Sequence, residues 1–206
     1  MFKFNPYDYK GVLKRNEFIY VKDAVCDSVL LELKQFLEQI KSDNPPDDFS
    51  YLPKRNYLKN LMDVYSILTE SKNLTISRNH IMYYRKGMTS IPHKDRKSLQ
   101  YACAIGISST PESRLLLWPE ASTDENEGNS YYEYAKVNGG QSFIDEIVSK
   151  SKPVELYTGP GDVVFFPGSR MFHGRKSPID SSVYYIDVNT YGLNDRESSR
   201  QERIQK

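Results

Sequence analysis

The chain has 206 residues, which suits one domain around one sizeable core, and a formal net charge of +1 that lends no support to a nucleic-acid or anionic-membrane partner. Its two cysteines, Cys26 and Cys103, make no disulfide framework, and no stretch approaches the ~20 apolar residues of a membrane helix. The start, Met1-Phe2-Lys3-Phe4-Asn5-Pro6, lacks the apolar core of a signal peptide, so a soluble, cytosolic protein in a reducing compartment is expected.

In chain order, residues 17–21 read as a short strand. Asp23 stands where it could cap the helix that follows, in which Val25, Val29, Leu33, Phe36, Leu37 and Ile40 recur at helical spacing. Residues 42–47, rich in Pro and Asp, end that helix. A second helix is predicted over 57–70, with Leu58, Leu61, Met62, Tyr65 and Leu68 on its buried face. Beyond Ser71 the period changes to that of strands, expected at about 74–84, 100–107, 114–118, 154–156, 162–166 and 183–189, with Gly and Pro between them. Helices first, then many short strands, indicate a mainly β fold, a sandwich or barrel braced by N-terminal helices.

One region breaks the rhythm. Residues 121–130 are acidic and poor in apolar side chains; Tyr131, Tyr132 and Tyr134 follow, and a short helix is expected over 142–149. An insertion of this kind, about 119–150, is either a solvated excursion or a lid over a binding site, with Tyr131 among the side chains that would close on a ligand.

Each of the three histidines can be weighed for chemistry. His93-Lys94-Asp95 places an imidazole and a carboxylate two residues apart, on one side of an extended segment. His173 follows a turn-strand-turn pattern, residues 161–168, that would deliver a third ligand from across a barrel. Two histidines and one carboxylate on one face of an octahedron leave open positions, as non-haem Fe(II) oxygenases require. His80 shares a strand face with Met82 and Tyr84 but is not expected to ligate.

The flanking residues sharpen this. Tyr84-x-x-Gly87 precedes His93-x-Asp95, and Gly161-Asp162-Val163-Val164-Phe165-Phe166-Pro167-Gly168 leads to His173-Gly174. Over 83–95 and 160–174 the chain resembles the Fe(II)/2-oxoglutarate-dependent oxygenases, most of all the prolyl-4-hydroxylase type, with the AlkB type sharing the frame. The resemblance implies a double-stranded β-helix, a jelly-roll or cupin-like core. It would occupy 73–190 of a single domain spanning 1–206, between N-terminal supporting elements (1–72) and a polar tail (191–206). It also implies that His93, Asp95 and His173 hold Fe(II), that 2-oxoglutarate and O2 are consumed with release of CO2 and succinate, and that an unactivated carbon is hydroxylated. By the same resemblance, a carboxylate at position 95 favours hydroxylation over halogenation.

The chain departs from the pattern in one place. The family's basic residue about ten positions after the distal histidine, which pairs with the far carboxylate of 2-oxoglutarate, is absent from Asp180-Ser181-Ser182-Val183-Tyr184-Tyr185. Burying that carboxylate unpaired would cost several kcal/mol. Arg175 is the expected substitute, because on an extended segment it points to the same side as His173 and its fork binds a carboxylate bidentately. Tyr84 is a second candidate.

For substrate contacts, Tyr185 and Asp187 lie on the polar face of the last strand, which faces either the barrel interior or solvent, and Trp118, which ends the strand before the insertion, reads as core or rim before substrate platform. The substrate expected by analogy is an amino acid, free or in a peptide, rather than nucleic acid or membrane. An AlkB-like nucleic-acid demethylase is disfavoured by the neutral charge and the acidic insertion. A non-catalytic, cupin-like metal-binding module stays open through the missing basic residue.

Overall fold

The strand-forming half of the chain folds into two antiparallel sheets in a computed structural model, which describes residues 1–41, 48–50, 55–72, 74–95, 99–109, 111, 113–121, 141–176 and 183–192. The elements are β1 (Ile19–Val21), α1 (Asp27–Lys41), β2 (Asp48–Ser50), α2 (Arg55–Thr69), β3 (Leu74–Tyr84), β4 (Ser90–His93), β5 (Tyr101–Ser108) and β6 (Leu115–Trp118). They continue with α3 (Gln141–Ser149), β7 (Val154–Leu156), β8 (Val163–Phe166), β9 (Phe172–Arg175) and β10 (Val183–Gly192). A six-stranded sheet runs β1-β8-β5-β10-β3-β2, and a four-stranded sheet runs β4-β9-β6-β7.

Strand alternation sorts side chains into two layers. Cys103, Ile105 and Ile107 of β5 and Val163 and Phe165 of β8 meet Val29, Leu33 and Leu37 of α1 and Leu61, Tyr65 and Leu68 of α2. The Tyr65 ring stands edge-on to Phe165, centroids 5.5 Å apart. Full burial of side chains such as Phe165 and Leu33 contributes roughly 1.5–3 kcal/mol each. The alternate residues Ala102, Val164 and Phe166 face the smaller sheet and pack against Leu115, Leu117, Leu156 and Met171. The small face of β5 therefore looks into the gap between the sheets, and the large face into the helices. A third cluster, Trp118, Phe172 and Ile144, lies beneath α3.

Two local expectations are corrected. Asp23 does not cap α1: the helix opens on the Cys26 carbonyl, which accepts from the Val29 and Leu30 N–H groups. Asp23 sits at φ 47° in the turn after β1, donates its N–H to Asp162 Oδ1 at 2.9 Å, and binds Lys3. The second helix stops at Thr69, and Glu70 takes a left-handed conformation (φ 54°), the usual way for a helix to end.

Strands β2, β4 and β9 are short, and their sequences carry no regular strand pattern. Pro92 interrupts the β4 pattern, which is tolerated because β4 is an edge strand among the described residues. Residues 42–47, expected to end the first helix, lie outside the described residues, as do 122–140, which hold most of the proposed lid.

The loop before β8 is fixed by close approach. Asp162 accepts N–H groups from Asp23 and Gly159, and its Oδ2 lies 2.9 Å from the Tyr20 hydroxyl. Gly106 lies against this loop so tightly that a methyl group on it would be 2.1 Å from the Gly159 carbonyl oxygen and 2.7 Å from that of Thr158. Both obstacles are backbone, so Gly106→Ala must displace the loop and break the Gly106–Asp162 and Gly161–Gly106 hydrogen bonds. A loss of about 1–3 kcal/mol is expected, read as a lower midpoint in chemical denaturation; an unchanged midpoint would show that the loop yields freely.

Candidate metal centre

The register of β4 on β9 sets His93 directly opposite His173, and their ring centroids are 4.3 Å apart. Asp95 lies two residues beyond His93, past the end of β4. Its N–H donates to the Gly168 carbonyl (2.8 Å), which holds it against the turn leading into β9. Asp95 Oδ1 lies 3.9 Å from His173 Nε2. One ligand atom from each of the three residues falls within 4.8 Å of the others.

The imidazole orientations are fixed from behind. His93 Nδ1 is 2.8 Å from the Ile91 carbonyl oxygen, and His173 Nδ1 is 3.1 Å from that of Met171. A carbonyl only accepts, so each Nδ1 carries a proton, and in the neutral ring this leaves the Nε2 lone pair for a cation. The carbonyl–imidazole pairs are the outer contacts that orient metal-ligating histidines. Two neutral imidazoles and one carboxylate fit a divalent ion. Ligand atoms about 2.1 Å from a metal and at right angles are about 3 Å apart, so the ion would draw these donors slightly together. Phe166 supports the His173 ring, centroids 4.9 Å apart.

Lys94 points away from the metal side, as strand alternation requires. It is buried, with Nζ 4.6 Å from the centroid of the Phe172 ring.

Arg175, two residues after His173 on β9, is 5 % exposed. Its guanidinium lies 5.1 Å from the centroid of the Tyr84 ring, and its Nη1 is 3.5 Å from the Ser113 carbonyl oxygen. Tyr84 ends β3 in the larger sheet, so the Arg175–Tyr84 contact bridges the two sheets. Two residues at about 3.3 Å each separate this pair from His173 along the strand.

The remaining expected site residues lie on β6 and β10 or outside the described residues. Trp118 pairs with Phe172 and Leu117 with His173, so Trp118 lies on the face opposite the metal ligands, buried under α3. It is not brought to the site, because the strand ends one residue out of phase with that role. The backbone of Asp187 pairs with His80 and Ala104, and that of Tyr185 with Met82 and Gly106, which puts both positions in the middle of the larger sheet. Tyr131 lies outside the described residues. His80 is buried on β3 and does not join the three-ligand group. Sequence reasoning missed Gly168, whose only signal is a Pro-Gly turn, and the Phe166 support, a matter of β8 alternation.

No family model and no curated protein matches the chain. Solved structures do. SnoK, a non-heme alpha ketoglutarate dependent carbocyclase from nogalamycin biosynthesis, is 14 % identical over 94 % of this chain and 87 % of that one, with a TM-score of 0.65. EctD from S. alaskensis, solved with 2-oxoglutarate and 5-hydroxyectoine, is 13 % identical over 93 % and 75 %, with a TM-score of 0.64. A Pseudomonas putida prolyl-4-hydroxylase is 10 % identical over 91 % of this chain and 99 % of its own, also at 0.64. The likeness is one of fold, shared with these solved 2-oxoglutarate-dependent enzymes.

Proposed function

We propose that the protein is an Fe(II)- and 2-oxoglutarate-dependent dioxygenase with a double-stranded β-helix core, organised as one domain. The observation that carries this is the convergence of His93, Asp95 and His173, with both imidazoles turned metal-ready by backbone carbonyls. Fe(II) bound there supplies O2 activation, by which one substrate C–H becomes C–OH while 2-oxoglutarate and O2 give succinate and CO2. The chain's own residues hold the ion on one side and leave the other side of its shell to ligands. Arg175 and Tyr84 would hold the far carboxylate of 2-oxoglutarate, the guanidinium supplying the opposite charge and the phenol a hydrogen-bond donor. Phe166, in the apolar cluster with Leu117 and Met171, backs the His173 ring.

The substrate is an amino acid, free or within a peptide. Support comes from the Tyr84-x-x-Gly87 and His93-x-Asp95 pattern and from the likeness in fold to a prolyl-4-hydroxylase. Tyr185, Asp187 and Tyr131 are the proposed substrate contacts, and the insertion that carries Tyr131 acts as a lid. Purified protein given Fe(II), 2-oxoglutarate, air and a panel of amino acids and peptides should form succinate only with O2. The accepted substrate should gain one oxygen by mass. Succinate no greater than that of a His173→Ala control would refute the proposal.

A further inference from the structure

We infer that Gly168 is a positioning residue whose bare Cα sets which way the Asp95 carboxylate points. This rests on the reading of His93, Asp95 and His173 as metal ligands. A methyl group on Gly168 would lie 2.3 Å from Asp95 Oδ2 and 3.2 Å from its Cγ; the next nearest atom, Ala102 Cβ, would be at an ordinary 3.5 Å. The carboxylate therefore occupies the space a side chain at 168 would fill. With Oδ2 lodged against Gly168, Oδ1 is the oxygen left near His173 Nε2, at 3.9 Å. The same glycine's carbonyl accepts the Asp95 N–H, so backbone and side chain of the ligand are registered on one residue.

That residue is itself held in place. The Arg170 and Met171 N–H groups donate to the Pro167 carbonyl, closing the turn. Arg170 Nη2 reaches both the Leu13 carbonyl and the Tyr101 hydroxyl at 3.3 Å, tying the turn to the larger sheet and the N-terminal segment. Met171, at the end of the turn, offers its carbonyl to His173. One turn thus orients a carboxylate and an imidazole ligand together, and only glycine at 168 leaves the carboxylate room.

The obstacle to a larger residue is the end of a side chain, not backbone. Gly168→Ala should leave the metal-free fold and its Tm close to wild type, while Asp95 swings off the metal side. The test is Co(II) titration of the full chain by calorimetry and visible absorption, with the Tm of each metal-free variant. Co(II) affinity should fall at least about tenfold, the scale of losing an outer contact that orients a ligand, and the Co(II) spectrum should change. In an Asp95→Ala background, where the two histidines alone bind the ion weakly, adding Gly168→Ala should change the affinity no further. Unaltered Co(II) affinity in Gly168→Ala, an equal loss in the Asp95→Ala background, or a metal-free variant that fails to fold would each overturn the inference. Absence of Co(II) binding by the wild type would instead remove the metal reading beneath it.

Discussion

Alanine in place of His93, Asp95 or His173 should abolish turnover and most metal binding in each case, while the circular dichroism of the metal-free protein stays close to wild type. Among the described residues, three protein donors converge. Losing one leaves a divalent ion two ligands and an open side, and the expected loss exceeds the roughly 10–100-fold that removal of an outer contact costs. The fold should survive because His93 and Asp95 are partly exposed and neither belongs to an apolar cluster. His173 is 8 % exposed and packs on Phe166, so its alanine variant should also show a modest fall in Tm. Titration of Fe(II) or Co(II) into each variant checks this, and full activity in any one removes that residue from the centre.

Arg175→Ala should weaken 2-oxoglutarate by about 2–5 kcal/mol, much of it the cost of a stranded carboxylate. At 1.4 kcal/mol per factor of ten this is about 30-fold to several thousand-fold. Metal affinity should change far less, because Arg175 supplies no donor to the three-ligand group. Arg175→Lys should fall between, since lysine keeps the charge but loses the planar fork and its stacking on Tyr84. Tyr84→Phe should lose only the phenol hydrogen bond, a smaller effect. The apparent affinity for 2-oxoglutarate, measured without O2, decides the matter. Equal affinity in Arg175→Ala and wild type would mean that another group neutralises the far carboxylate.

The ligand set is legible in the sequence because its logic is local. His93 and Asp95 are two apart, and only two other histidines compete for the third place. Alternation along residues 173–175 also puts Arg175 on the side of His173. Its meeting with Tyr84 is another matter, because that contact exists only when β3 of one sheet closes over β9 of the other. The helix layer is legible for the same reason as the ligands: the split of β5 into Ala102, Ala104 and Gly106 against Cys103, Ile105 and Ile107 is a period-two pattern.

What escapes is short or non-local. Strand β4 carries a proline and β9 a glycine, so neither has a strand signal of its own; β9 is held between β4 and β6, and β4 is held by β9. A methyl group on Gly174 would lie 2.7 Å from the Ser90 carbonyl oxygen, which explains a glycine inside a strand. Trp118 reads in the sequence as core or rim before substrate platform, and its register with Phe172 turns it to the buried α3 side. Gly168 contacts a residue distant in sequence, and no spacing rule reaches across that separation.

The most direct measurement is made without O2: Fe(II) and then 2-oxoglutarate are added to the protein, and visible absorption is followed. A 2-oxo acid chelating Fe(II) through its keto and carboxylate oxygens gives a metal-to-ligand charge-transfer band. That band should appear only when both are present, saturate at one equivalent of each, and be missing from His173→Ala. No band with both added, or an equal band in His173→Ala, would contradict an Fe(II)/2-oxoglutarate centre at His93, Asp95 and His173.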